Sequence, residues 1–514
     1  MPKNILANLK TQLFPSYQFR YRHILPIMLC LILIILSLVT RIYSGFFYTT
    51  FLGDQVRDAI EINKIKSGEL VGYGPGSSVG GYFLLPLYYY LILPFTLFSN
   101  NPIFYNLGNS ILSFFTCFLV VYLVYSLTIK LTKYYRLVVG LLSGIWWAVM
   151  YNDQVINTMS WNPGPIPFFL IIYFGFIHKT LTRRLDKLSN YIQYILWFGF
   201  GLVVTVLLSL HSTTMFVIPL VTIVFFIEYF LKTKDIKKPL FAIFSAWISL
   251  IPYWLVEWQN HGQNTSRIIN LILQSDKESG FLTRINRSLF NLLELGDIFY
   301  FIDIQSRTIT VFLMAGLIIL GLLFNSKKIF WRYYFYFILI YSYTASSYTG
   351  TFFVHFKAVI WILPIILVAE ILNQFTPRRV NFSKFSQITV YGFLLTFVAF
   401  SFISNLQASY VFLESKISNR KTLNTQHLAQ ALEFLPRNSV ICLEKIYTPA
   451  FDYINLYLIK KSQKQTTNCE DATYAIMIKN RYEFPKIIKQ STTLSKDKQI
   501  FESDALQIYK IQKL

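Results

Sequence analysis

The sequence predicts an α-helical protein that crosses a membrane many times and ends in a small α/β domain. Three observations predict it. Of the 514 residues 54% are hydrophobic and only 14% are charged, whereas an ordinary soluble domain is about a quarter charged. The apolar residues gather in runs of roughly 20, the length that spans a bilayer as a helix. Polar residues return only in the last hundred or so positions. The same composition excludes an intrinsically disordered chain, and four cysteines exclude a disulfide-stapled scaffold. The formal charge of +22 does not point to nucleic acid, because the basic residues fall in short clusters between the apolar runs.

Eleven runs qualify as spans: 24–43, 103–128, 137–151, 164–178, 193–210, 214–231, 239–257, 308–324, 330–345, 357–374 and 386–405. A twelfth apolar stretch, 82–98, is short and interrupted by Pro86 and Pro94, and reads as a helix at the membrane surface. The positive-inside rule supports this choice. With a cytoplasmic N-terminus, the basic residues at 3–22, 130–136, 179–187, 232–238, 327–332 and 378–384 all fall inside. The loops at 152–163 and 211–214 fall outside and hold no Lys or Arg. Counting 82–98 as a span would reverse every later loop. No small-residue cleavage pattern follows the first run, so it is expected to be a retained anchor in the cell membrane.

The expected organisation is a membrane domain over 1–405 and an extracytoplasmic α/β domain over 406–514. Outer segments 44–102 and 258–307 are too long to be plain connections. In the tail, 439–447, 474–478 and 505–511 have strand character and 448–461 has helical spacing. Cys442 and Cys469 either pair in an oxidising compartment or remain thiols.

Ionisable residues within the spans are few. Glu228, Glu257 and Glu370 sit near helix ends, where a carboxylate is expected to reach water. Their scarcity argues against a transporter or flippase, which remains the alternative from another class. The charges placed for chemistry lie in outer segments. Asp54, Arg57, Asp58 and Glu61 fall on a helix-compatible stretch, 55–66. One reading makes Asp54 its N-cap, with Arg57 and Glu61 an i,i+4 pair. The other makes Asp54 a carboxylate that accepts a proton from a substrate hydroxyl. Next comes a glycine-rich run that includes Ser77 and Ser78 and leads into the aromatic stretch around Tyr88. Its backbone can approach a ligand closely and its amides can hold a phosphate. A third segment runs from Asn152-Asp153-Gln154 to Trp161-Asn162-Pro163, and a fourth is His355-Phe356-Lys357. Lys357 is a cation on the side where topology does not require one, which makes it a candidate for a lipid phosphate.

In these segments the chain resembles the bacterial branch of the GT-C glycosyltransferases, among them the protein O-mannosyltransferases, the aminoarabinose lipid A transferase and the rhizobial galacturonosyltransferases. The resemblance rests on Asp54 after the first span, the Gly-Pro-x-Ser-Ser-x-Gly-Gly run into Pro-Leu-Tyr-Tyr-Tyr-Leu, and the Trp-Asn-Pro loop. It covers residues up to about 405 and is most specific at 51–91. It implies an integral membrane enzyme that moves a sugar from a polyprenyl-phosphate donor to a lipid, glycan or protein acceptor on the outer face. It also implies that Asp54 occupies the place of the family's proposed base. Three positions depart from the pattern. Gln55 stands where a second acid often follows, Leu84 and Leu85 where the lipid A transferases carry a Lys, and Asn162 where many relatives carry an acid. The phosphate-binding role is therefore assigned to Arg57 and Lys357. Tyr88 and Trp161 are expected to line the groove, with Asp58, Ser77, Ser78, Asn162 and His355 nearby. No cofactor is called for; a divalent metal is compatible with the pattern but nothing in it indicates one.

Overall fold

The computed structural model describes residues 15–47, 53–77, 80–98, 102–274, 329–346, 354–374, 384–418 and 432–443, short pieces between 282 and 319, and four further strand segments in the tail. Helix α1 (Pro15–Ser37) continues through a π-helical turn (Leu38–Tyr43) into a short turn (Ser44–Phe47). Helix α2 is Gly53–Lys66 and α3 is Leu87–Thr96. The bundle follows as α4 (Pro102–Leu127), α5 (Lys133–Ala148), the short α6 (Tyr151–Asn157), α7 (Ile166–Leu181), α8 (Asn190–Leu210) and α9 (Ser212–Thr233). Then come α10 (Lys237–Ser249), α11 (Ile251–Gln259), α12 (Gln263–Gln274), α13 (Ile329–Ser346), α14 (Leu363–Gln374) and α15 (Lys384–Ser418).

Among the described residues five helices are long and apolar enough to cross a membrane, or six if α10 and α11 form one span. The single span expected over 239–257 is in fact these two helices, bent by 55° where Leu250 separates them and Pro252 opens the second. Proline at a helix start keeps its own geometry but cannot continue the preceding hydrogen-bond ladder, so the break falls there. The run at 357–374 likewise begins as a 3-10 turn (Val354–Lys357), with α14 starting only at Leu363. The run at 308–324 lies outside the described residues apart from short pieces.

Small residues let the helices approach. A methyl group on Gly201 of α8 would strike the Ala242 carbonyl and the Ser245 hydroxyl of α10, so the backbones touch there. Helix ends meet in two groups. At one end Thr40 donates to the Ala148 carbonyl (2.7 Å), Ser409 to Val149 (2.9 Å) and the Tyr151 amide to Asn405 (3.0 Å). At the other the Lys130 amide and ammonium donate to Asn373 and Gln374 (2.8 and 2.6 Å).

Two carboxylates expected to reach water do not. Glu370 is buried. Glu257 is buried too, and accepts from the Tyr73 hydroxyl (2.6 Å), from the Asn264 amide (3.1 Å), and from the Thr265 amide and hydroxyl (2.9 and 2.5 Å). Its helix supplies the burial and the following turn supplies the donors.

In the tail a five-stranded sheet has the order β2-β1-β3-β5-β4. Strands β1 (Val440–Leu443), β3 (Tyr474–Ile478) and β5 (Leu506–Lys510) match the three expected, while β2 (Gln465–Thr466) and β4 (Gln499–Glu502) are additional. β1 pairs parallel with β2 and β3, and β5 is antiparallel to both its neighbours. Cys442 lies on β1; Cys469 and the stretch 448–461 lie outside the described residues.

Candidate active site

The site is built from the segment that follows the first helix, described over 53–77 and 80–98. Helix α2 begins at Gly53, so Asp54 sits in its first turn, where a carboxylate suits the helix dipole. One turn then gathers three charges. Arg57 Nη1 donates to Asp54 Oδ1 (3.1 Å), and Arg57 Nε and Nη2 both donate to Asp58 Oδ1 (2.9 Å each). The expected Arg57–Glu61 pair is not formed; Glu61 instead accepts from Lys64 at 2.7 Å. Two carboxylates closer to the guanidinium outcompete the one a full turn away. The side chain of Asp54 is 50% exposed, that of Arg57 35%, and that of Asp58 only 2%. Asp58 Oδ1 also accepts from the Tyr89 hydroxyl of α3 (3.2 Å), while Asp58 Oδ2 is buried with no hydrogen-bond partner. Burial pushes the Asp58 carboxyl up to about 7, against the opposing pull of Arg57.

The glycine-rich run forms a tight hairpin. The Gly74 amide donates to Leu84, Leu84 to Pro75, and Ser77 to Tyr82 (2.8, 2.9 and 2.8 Å). Gly80 and Gly81 close it with φ of 69° and 63°, a pair of left-handed residues that only glycine adopts freely. Its return strand is held by Asn264, which exchanges hydrogen bonds of 2.7 and 3.0 Å with the backbone of Phe83. Ser77 is in place beside the turn, and Ser78 lies outside the described residues. Tyr88, expected to line a groove, is instead fully buried. Its buried hydroxyl has Asp58, Arg57, Ser160 and Asn109 in its surroundings.

That position links the two halves of the site. Asn63 of α2 accepts from the Tyr105 hydroxyl (2.8 Å), and the Tyr105 carbonyl accepts from Ser160 (2.8 Å). Trp161 follows; its carbonyl accepts from Asn109 at 2.9 Å and its ring lies 4.1 Å from that of His355. Asn162 is buried and donates to the Leu210 carbonyl, a structural tether between loops. His211, next in the chain, packs its ring 5.3 Å from that of His355. Burial holds both imidazoles well below their ordinary range, His211 at about 3 and His355 at about 4, so neither is a cation at neutral pH. Lys357, two residues after His355 in the same 3-10 turn, is also buried.

Sequence reasoning missed two features. His211 reads in the sequence only as part of a loop without Lys or Arg, and histidine is not among the residues that signal an N-cap, yet its Nδ1 accepts from the Thr213 amide (3.3 Å). Arg41 was absorbed into the first span. In the structure it is buried and faces Asp153 at 3.2 Å, anchoring the loop that leads to Trp161. Among the described residues no group of three His, Cys, Asp or Glu gathers as metal ligands.

No protein-family model matches the chain, and no curated protein matches it in sequence. Solved structures do. ArnT from Cupriavidus metallidurans bound to undecaprenyl phosphate superposes with a TM-score of 0.52 at 10% identity, covering 93% of this chain and 97% of ArnT. Its apo state gives 0.50, also at 10% identity, with 92% and 97% covered. The archaeal oligosaccharyltransferase AglB from Archaeoglobus fulgidus, in complex with an inhibitory peptide and a dolichol-phosphate, gives 0.41 at 11% identity over 90% of this chain and 70% of that one. The chain therefore has the fold that the sequence resemblance implied, that of the GT-C glycosyltransferases.

Proposed function

We propose that this protein is an integral membrane glycosyltransferase that takes a sugar from a polyprenyl-phosphate donor and delivers it to an acceptor on the extracytoplasmic face of the cell membrane. One observation carries the reading. Four segments between residues 54 and 357 converge at one end of the bundle, in a fold shared with a structure bound to undecaprenyl phosphate. Such a donor is anionic at the headgroup level and apolar below it, so its enzyme needs a cation beside an apolar bundle. Arg57 and Lys357 are the cations of the site.

In this reading Asp54 is the base. It is the exposed carboxylate of the cluster, and the Arg57 contact orients it without burying it. The acceptor hydroxyl gives its proton to Asp54 as its oxygen bonds to the anomeric carbon. The bond from that carbon to the phosphate oxygen breaks, and its electron pair leaves with the polyprenyl phosphate. Because the leaving group is already an anion of low basicity, charge stabilisation by Arg57 and Lys357 replaces acid catalysis. Displacement from the face opposite the phosphate inverts the anomeric centre. Trp161, its ring in tilted contact with that of a neutral His355, offers an aromatic face for the donor sugar. The positive-inside pattern of the basic clusters supports an orientation in which this end of the bundle faces outward. The test is incubation of purified protein with radiolabelled polyprenyl-phosphate sugars, scored by release of polyprenyl phosphate. Absence of release with every donor of a broad panel refutes the reading.

A further inference from the structure

Asp58 is not explained by the chemistry above. It is a carboxylate buried beneath the guanidinium that the reaction needs. Its Oδ1 accepts three hydrogen bonds, two from Arg57 and one from Tyr89, while its Oδ2 is sealed from solvent with no partner. A buried carboxylate oxygen without a donor is costly while charged, and protonation removes that cost. The opposing influence is Arg57 itself. With Asp54 and Asp58 both ionised, one guanidinium serves two carboxylates, and the cluster is net negative. An incoming phosphate would meet repulsion. With Asp58 neutral, the cluster is balanced, and Arg57 can face an anion while keeping its geometry. The titratable and charged groups facing Asp58 are Arg57 and Asp54 of its own helix and Tyr88 and Tyr89 of α3.

We propose that Asp58 is a proton-linked positioning residue: ionised, it holds Arg57 at the cleft, and by taking a proton on Oδ2 it turns the guanidinium's charge toward the donor phosphate. The proton reaches the carboxyl from solvent when the partly exposed Arg57 moves off Oδ1, and it stays on Asp58 while phosphate is bound, so donor binding and proton uptake are coupled. This rests on the reading of Arg57 as a phosphate ligand. The tendency of Asp58 to titrate near neutrality, which burial produces, places the coupling in the physiological range.

The experiment measures affinity of the full chain for undecaprenyl phosphate between pH 6 and pH 8, for wild type, Asp58→Asn and Tyr89→Phe. The phosphate monoester has its own titration, so each wild-type Kd is divided by the Asp58→Asn Kd at the same pH. For a group titrating near 7, that ratio rises from about 1 to about 10 across the range by proton linkage. Tyr89→Phe removes a donor that favours the ionised form, so its midpoint moves to higher pH. A flat ratio with tight binding in both proteins overturns the coupling and leaves the phosphate reading standing. Absence of binding in every variant removes both. If Asp58→Asn fails to fold, the Tyr89→Phe midpoint decides alone, and an unshifted midpoint overturns the proposal.

Discussion

The buried Arg41–Asp153 pair gives the sharpest test of how this fold holds the loops at this end of the bundle. Arg41 lies on the π-helical turn that ends the first span, fully buried, and Asp153 is 3% exposed. Besides Asp153, Arg41 Nη2 donates to the Trp147 carbonyl at 2.6 Å, and Asp153 accepts from Ser113 at 3.0 Å. Arg41 Nε and Nη1 have no hydrogen-bond partner, so the carboxylate is the main compensation for the buried charge. Replacing Asp153 with Asn keeps the shape and removes that compensation, which for buried pairs costs about 3–5 kcal/mol. The double variant Arg41→Met with Asp153→Leu removes both charges and should recover most of the loss, because a buried pair and an apolar pair of similar volume are often close in stability. Thermal unfolding of the detergent-solubilised protein measures each variant, and with the singles Arg41→Met and Asp153→Leu added the double-mutant cycle isolates the coupling. An Asp153→Asn variant within about 1 kcal/mol of wild type, or a double variant worse than both singles, would refute the reasoning.

Other outcomes follow from particular residues. Lys357→Ala should weaken donor binding by the worth of one charge-assisted contact, about 1.5–3 kcal/mol, with normal expression; unchanged binding would remove Lys357 from the phosphate site. Asp58 binds its proton more tightly folded, near 7, than unfolded, near 3.8. The native state therefore holds more protons across that window, and this residue's contribution to stability is full below about 4 and lost as pH rises through about 7. Asp58→Asn should flatten that part of a Tm–pH profile, and an unchanged profile would contradict the assignment. A methyl on Gly72 would meet the Pro252 carbonyl and Val256 at 2.5 Å, so Gly72→Ala should cost roughly 1–3 kcal/mol by overpacking the hairpin against α11. Cysteines placed at the exposed Glu69 and Lys234 should react with an impermeant thiol reagent in intact cells at Glu69 only; the reverse pattern would invert the topology.

How much of this was legible in the sequence depended on the range of the interaction. Helices such as α4, α8 and α9 match their apolar runs within a few residues, because the bilayer length requirement is written locally. The bend between α10 and α11 was also local, yet hydropathy averages over Pro252 and hides it. Of the site, the residue types were readable and the partners were not. Arg57 had Asp54 and Glu61 at helical spacing and Asp58 as its direct neighbour, and only the packing of Tyr89 over Asp58 shows which acids it chooses. Tyr88 looked like groove lining because aromatic residues suit interfaces, but the α3–α4 contact buries it. The meeting of Trp161, His211 and His355 depends on three separate helix ends and leaves no local signal.

The central claim is that Asp54 removes the acceptor proton during transfer from a polyprenyl-phosphate sugar. Asp54→Asn tests it directly, because Asn keeps the shape of the side chain at the start of α2 and loses only the charge and the proton affinity. The measurement is turnover of purified wild type and variant on the same radiolabelled donor, alongside the Tm of each. The account predicts an unchanged Tm with turnover lower by about 10²–10⁴-fold. Near-normal turnover by a folded Asp54→Asn protein would contradict it.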